Sequence, residues 1–475
     1  MSKRVEHDSI GELPLPADSL YGIHTARALT NFPITGVRLS HFPELPRALA
    51  MVKKAAALAN AQVGALAPEL AEIIAAVCDE IIDGKHHEHF VVDMIQGGAG
   101  TSTNMNANEV IANLGLDRLG RPRGDYRHLH PNDHVNCSQS TNDVYPTAAR
   151  LAILLASRAL MGVQRHLSEA FAERGRAFAG IVKVGRTQLM DAVPMTLGME
   201  FSAFAATINE DIERLGQVSD LLRETNLGGT AVGTGINAPA GYREAAVSQL
   251  SAIFGMPLIP ATDLVEASSD LGAFVTFSGV LKRIAVKLSK ICNDLRLLGS
   301  GPRAGIGEII LPAVQAGSSI MPGKVNPVIP EVVNQTAYQV IGNDLTVTLA
   351  AEAGQLQLNV MEPVVIFNIL QSIRMLEAAM TVLTERCVTG IVADETRIAS
   401  LLSNSLVAVT ALVPRIGYEN AVAVAKAAQG SGHSVEATVV ALGFLTHEEF
   451  AALMQLEPLT ESAARADNKR KEEKS

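Results

Sequence analysis

The sequence predicts a mostly α-helical protein. Ala and Leu dominate, only 4% of residues are aromatic and Trp is absent. That composition suits helices packed closely on small side chains, and not a β-sandwich rich in aromatic and β-branched residues. Two long blocks, 44–82 and 142 to about 390, carry helical patterning, and their breaks are rich in glycine, hydroxyl and amide groups. With 475 residues the chain can bury a large core and divide into two or three domains. The expected divisions are a mixed, mainly helical 1–141, a central helical bundle at 142–390, and a small helical C-terminal domain at 391–475 with a frayed tail from Arg465.

In chain order, residues 1 to about 45 mix Pro, Gly and Asp with short apolar pieces, an irregular opening with a strand or two. Within it Tyr21-Gly22-Ile23-His24-Thr25-Ala26-Arg27 clusters polar groups. The plain reading makes His24 a structural histidine and Arg27 an ion-pair partner. Helical patterning from Glu44 to Ile82 stops at Asp83-Gly84-Lys85. His86, His87 and His89 follow without a Cys or carboxylate framework at ligand spacing, so a solvated loop is favoured over a metal site. Gly97 to Asn104 is a glycine-and-hydroxyl loop, with a helix expected over Met105 to Leu119. Asn136 to Asp143 opens a long helix with Pro146 placed in its first turn, where Pro is tolerated. Ser140, Thr141 and Asn142 there read either as simple caps or as an anion site at a helix start. Further breaks fall at Gly185-Arg186-Thr187-Gln188 and between Gly228 and Gly241, and shorter helical pieces follow Gly390.

Charge and cysteine content exclude several classes. A net charge of −10 argues against nucleic acid, but a local site can still oppose it and bind an anion. Cys78, Cys137, Cys292 and Cys387 lie far apart with no CxxC pair, so neither a zinc framework nor a disulfide scaffold is expected, and a reducing cytoplasm is. Met1 to Leu13 has no apolar core resembling a signal peptide, and the most apolar runs, Leu151 to Ala156 and Leu271 to Leu281, are too short to span a bilayer. Helices this apolar are expected inside a bundle or a subunit interface, not in a membrane.

The longest break runs from Gly299 to Pro327 and contains Gly317-Ser318-Ser319-Ile320-Met321-Pro322-Gly323-Lys324-Val325-Asn326-Pro327. A structureless stretch of that length is usually a lid or binding loop, the plain alternative being a surface loop with ordinary turn chemistry. It is no phosphate-binding P-loop, because five residues separate Gly317 from Gly323 and Val325 follows the Lys. Gly233-Thr234-Gly235-Ile236-Asn237-Ala238 runs into Pro239 where a dinucleotide-binding helix should begin, so NAD is not expected.

Four polar segments need one explanation: Thr101 to Asn104, Ser140 to Asn142, Thr187-Gln188, and Ser318 to Asn326. Only the last carries an evident charge, Lys324, and no Ser-His-Asp set, carboxylate pair or metal cluster accompanies them. Neutral N–H and O–H donors with one Lys suit a small polyanion and can stabilise an enolate-like dianion beside a carboxylate. The residues alone do not single out the base that removes a proton from carbon.

Gly317 to Pro327 resembles the defining loop of the fumarase/aspartase superfamily. Supporting segments are Gly97 to Glu109, His130 to Asp143, Gly185 to Glu200 and Thr230 to Pro239, so the resemblance covers nearly the whole chain. Within it, Gly98-Ala99-Gly100-Thr101-Ser102, Gln139 to Asp143, Pro327 to Gln335, Ala353 to Pro363 and the Tyr21–Arg27 opening look like the aspartase family. The resemblance implies a three-domain helical subunit, a homotetramer with a central helical bundle, and active sites built from three subunits. It also implies reversible anti elimination of ammonia from L-aspartate to give fumarate, with no organic cofactor. Carried over residue by residue, Ser318 is the general base for the Cβ proton. Thr101, Ser140, Thr141 and Ser319 grip the β-carboxylate and its aci form. Thr187, Lys324 and Asn326 hold the α-carboxylate, and Asn142 and Gln188 lie near the leaving amine. Many relatives carry His where this chain has Gln188, and a glutamine cannot titrate to supply a proton. A fumarase or another fumarate-forming lyase is the nearest alternative. A non-catalytic helical scaffold is the other, and it would have no need of the whole polar set.

Overall fold

The computed structural model describes residues 2–454, and the tail expected to fray lies outside them. The opening is a hairpin, β1 (Lys3–Asp8) antiparallel to β2 (Gly11–Pro16), followed by a helix α1 (Ile23–Asn31) that the irregular composition did not suggest. Glu6 and Glu109 supply α1 with its cap. Glu6 accepts the Ile23 N–H at 2.9 Å, and Glu109 accepts those of Gly22 and His24 at 2.8 Å. The carboxylates therefore take up donors that a helix start leaves without intrahelical partners. Arg27 holds Asp8 through two nitrogens at 2.7 and 3.0 Å, the ion pair expected of it.

Helices α2 (Glu44–Gln62) and α3 (Pro68–Ile82) occupy the predicted block. The following histidines are half-buried rather than solvated. A helix-end carboxylate and carbonyl stand within reach: His86 bonds Glu80 at 2.8 Å, and His87 bonds the Ile81 carbonyl at 2.8 Å. Helix α4 (Thr101–Arg118) begins four residues earlier than expected, so Thr101 to Asn104 form its first turn and not a loop. Left-handed Gly98, Ala99 and Gly100 end the loop just before it, and a Cβ on Gly100 would lie 2.4 Å from the Tyr145 ring. Only glycine permits that approach.

Long helices dominate the rest: α5 (Thr141–Ala177), α6 (Leu197–Ser219), α7 (Tyr242–Phe254), α8 (Gly272–Leu298), α9 (Val328–Glu352) and α10 (Glu362–Arg386). Between α5 and α6 the 185–188 break is the end of a hairpin, β3 (Val182–Thr187) with β4 (Met190–Thr196). Shorter helices close the chain: α11 (Glu395–Asn404), α12 (Val407–Ile416), α13 (Tyr418–Ser431), α14 (Val435–Ala441) and α15 (His447–Leu453). The last of these starts with a Thr446/Glu449 capping box.

Packing divides the chain into two compact units, each discontinuous in sequence. The first comprises 1–162, 211–286 and 336–378. In it α8 and α9 are tied by Ser278 and Lys282 to Asp344 at 2.8 and 2.6 Å, and Asn343 of α9 donates to Ser372 of α10 at 3.0 Å. The second comprises 163–210, 287–335 and 379 onward. There Phe171 of α5 and Phe178 just after it meet Phe201 of α6 at ring separations of 6.2 and 5.2 Å. Such edge and tilted pairs add about 0.5–1.5 kcal/mol each beyond the area they bury. Leu412, Val424, Val439 and Phe450 form the apolar centre of α12–α15.

Helices α5 and α10 are long and apolar enough, by length and composition alone, to cross a membrane. Their contiguous apolar runs are short because polar residues interrupt both helices, Arg150 and Arg158 in α5 and Asn368 and Arg374 in α10. About two thirds of each apolar window is buried inside the protein (67% and 61%), which is how a bundle helix uses such a sequence.

Candidate active site

The first unit holds Thr101, Ser140, Thr141 and Asn142. Ser140 precedes α5 and caps it. Its hydroxyl oxygen accepts the Asn142 N–H at 3.3 Å, and the Asp143 carboxylate accepts the Ser140 N–H at 2.9 Å. Pro146 is the sixth residue of α5, beyond the first turn where it was expected. A proline there cannot donate to the Asn142 carbonyl. The Asn226 side-chain amide donates to that carbonyl instead, at 2.9 Å, while Asn142 donates its own amide to the Ala231 carbonyl at 2.8 Å. Asp143 also accepts the Gly228 and Thr230 N–H groups at 3.0 and 3.1 Å, so the 226–231 turn is fastened to the start of α5.

A chain of amides fixes the neighbouring loop. Asn136 Oδ1 accepts from Lys53 Nζ at 2.8 Å, Asn104 Nδ2 at 3.1 Å and Asn108 Nδ2 at 3.2 Å. Lys53 also donates to Gln139 at 2.9 Å, and Asn104 donates to the Thr141 hydroxyl oxygen at 3.1 Å. Lys53 and Asp143 are fully buried. Burial pushes the Lys53 ammonium down to about 7 against the pull of Asp143, and pushes the Asp143 carboxyl up to about 6 against its backbone N–H donors. The hydroxyls of Ser140 and Thr141 each receive a hydrogen bond from the protein, which leaves each O–H able to donate to an anion. Thr101 is exposed at the first position of α4, where its hydroxyl donates to the Gly98 carbonyl at 2.7 Å.

The second unit holds the remaining candidates. Thr187 and Gln188 are exposed at the end of β3. The hairpin turn is two residues long, and both Gln188 (φ 56°) and Leu189 (φ 62°) are left-handed. That turn geometry prefers Asn-Gly, and each non-glycine residue held there costs about 1–2 kcal/mol. Strain of this kind tends to be retained at functional sites.

The 299–327 segment contains no helix and one two-residue strand, Ile309–Ile310 paired with Val392–Ala393. The Gly317–Asn326 part closes on itself: the Gly317 N–H donates to the Lys324 carbonyl at 2.8 Å, and the Asn326 amide donates to the Gly317 carbonyl at 2.6 Å. Inside it the Ser318 hydroxyl oxygen accepts two backbone N–H groups, Ile320 at 3.1 Å and Met321 at 2.9 Å. Two donors on one oxygen favour its anionic form. Ser319 and Lys324 are exposed, and Lys324 makes no ion pair among the described residues. A loop bearing an unneutralised ammonium beside Ser318 can attract and hold a carboxylate.

Sequence reasoning missed Lys53 and gave Asn104 and Asn136 no role of their own, yet Asn104 holds Thr141 and is itself fixed through Asn136 to Lys53. A signal for Lys53 existed: it falls on the same face of α2 as Leu49, Ala56 and Asn60, and a cation on an apolar helix face needs a buried partner.

Known proteins give the same picture. A lyase family model matches residues 11–342, and a fumarase C C-terminus model matches residues 409–461. Aspartate ammonia-lyase of Pseudomonas aeruginosa is 61% identical over 91% of this chain and 92% of its own. A Brucella melitensis crystal structure, described as fumarate lyase:delta crystallin, superposes with a TM-score of 0.93 at 59% identity, covering 95% of this chain and 98% of that one. A class II fumarase from Schistosoma mansoni superposes with a TM-score of 0.88 at 32% identity, covering 96% of this chain and 98% of that one. With the Ser318 loop, the capped start of α5 and near-complete coverage at this identity, the chain belongs to the aspartate ammonia-lyase family of the fumarase/aspartase superfamily.

Proposed function

We infer that this protein is a carbon–nitrogen lyase that reversibly removes ammonia from L-aspartate to give fumarate. The observation that carries the mechanism is the Ser318 hydroxyl held by the Ile320 and Met321 N–H groups. A free serine is a poor base, and two backbone donors lower the cost of its alkoxide. Ser318 takes the Cβ proton, and the electron pair moves into the adjacent carboxylate as an aci dianion. Ser140, Thr141 and Ser319 donate to that dianion, and Thr101 joins them by turning its hydroxyl from the Gly98 carbonyl. The pair then returns to form the double bond as the anti C–N bond breaks, and ammonia leaves with the C–N electrons. Thr187, Lys324 and Asn326 hold the α-carboxylate; one Asn326 proton is committed to Gly317, and the second remains to donate. Asn142 and Gln188 flank the amine. Gln188 can donate or accept a hydrogen bond but supplies no proton.

The working form is a homotetramer, with sites completed by neighbouring subunits. Support comes from α9, where Tyr338, Leu345 and Leu349 are 60%, 59% and 61% exposed along one face. Helical spacing aligns those side chains, and an apolar stripe of that kind calls for a partner. Four unpaired cysteines fit a cytoplasmic location.

The test is fumarate absorbance from the purified protein supplied separately with L-aspartate and L-malate. Fumarate from aspartate alone is expected. Fumarate from malate alone would replace this reading with a fumarase, and no product from either would favour another amine substrate or a scaffold.

A further inference from the structure

We propose that Glu308 is a positioning residue for substrate binding, which holds the Thr187–Gln188 hairpin to the rigid base of the Ser318 loop. This rests on the reading of Thr187 as a carboxylate ligand. Glu308 is fully buried, and its two oxygens face two cations of the same strand: Lys183 Nζ lies 2.7 Å from one and Arg186 Nη1 2.7 Å from the other. Residues three apart on a regular strand point to opposite faces. Here the β3–β4 ladder slips between Val184 and Arg186, and that irregularity lets both cations reach one carboxylate. A Cβ on Gly185 would lie 2.7 Å from the Val193 carbonyl, so the close crossing of strands at the slip requires glycine. Lys183 is completed by Glu200 at 2.6 Å, giving two cations and two carboxylates.

Glu308 itself is immobilised from the other side. Its N–H donates to the Leu298 carbonyl at 2.9 Å, and its carbonyl accepts the Asp394 N–H at 3.0 Å. Arg397 donates to the Ile306 and Gly305 carbonyls at 2.9 and 2.8 Å. The carboxylate is therefore a fixed post. Arg186, tied to it, is adjacent to Thr187, the next residue of a hairpin whose turn is strained and whose tip is exposed. Helix α11 packs on β3 and the Ser405 hydroxyl donates to Asp191 of β4, while the tie to Glu308 is the contact that fixes Arg186, the residue next to Thr187.

The experiment measures steady-state kinetics with L-aspartate on the intact protein for Glu308→Gln, Arg186→Gln, their double variant and Thr187→Val, alongside melting and assembly. Each of Glu308→Gln and Arg186→Gln is expected to raise KM about tenfold with kcat within about threefold. The double variant should match Glu308→Gln, because the Arg186 tie is already lost once the carboxylate is removed. Wild-type KM in either folded single variant overturns the proposal. Should Glu308→Gln fail to fold, Arg186→Gln decides alone, since its side chain is partly exposed at the edge of the cluster. If Thr187→Val leaves KM unchanged, the carboxylate-ligand reading falls and the proposal with it. If Thr187→Val raises KM and the other two do not, only the role of Glu308 falls.

Discussion

The Asn104 side-chain amide donates to the Thr141 hydroxyl oxygen at 3.1 Å, and this contact directs the hydroxyl proton away from the protein. Asn104→Ala removes the donor and frees the hydroxyl to turn inward. With a neutral hydrogen bond worth about 0.5–1.5 kcal/mol, kcat/KM for L-aspartate should fall about 2- to 12-fold while the helical signal is retained. An unchanged kcat/KM would detach Thr141 from substrate binding.

Ser318→Ala should leave assembly intact and lower kcat by several orders of magnitude, since no other base stands in the loop. Lys324→Ala should raise KM as well as lower kcat, because an exposed ammonium acts in binding before it acts in chemistry. Near-normal turnover of the Ser318 variant, measured by fumarate absorbance, removes the residue from the mechanism.

Glu362 is buried, and burial pushes its carboxyl up to about 8 despite the pull of Arg150. The unfolded chain releases this proton near 4.5, so between about pH 4.5 and 8 the native state binds more protons than the unfolded one. Stability conferred by the retained proton is therefore complete at the acid end and lost as pH rises to about 8, by on the order of 5 kcal/mol. Melting temperatures of wild type and Glu362→Gln at pH 5, 6.5 and 8 isolate the effect. The wild type should lose stability relative to the variant as pH rises, and parallel curves would exclude Glu362 as the titrating group.

Leu345→Glu places a charge within the exposed apolar face of α9. Light scattering on the eluting protein should report species smaller than a tetramer, with activity lost in proportion. A variant that remains tetrameric moves the subunit interface off this face.

The helical class, the α2–α3 block and the 299–327 loop were legible because periodicity, Ala content and glycine placement are local properties. The candidate hydroxyls, Ser318 above all, were legible through family resemblance, since their chemistry is common to any polar loop. The start of α4 and the β3–β4 hairpin were not, because left-handed residues and a slipped ladder override what the residues prefer locally. Tertiary structure alone decided which polar groups meet. Lys53 reaches Asn136 across 83 residues, and Arg186 reaches Glu308 across 122. Those contacts exist because burial removes water from each charge, and a desolvated charge is tolerated only where the fold brings it a partner.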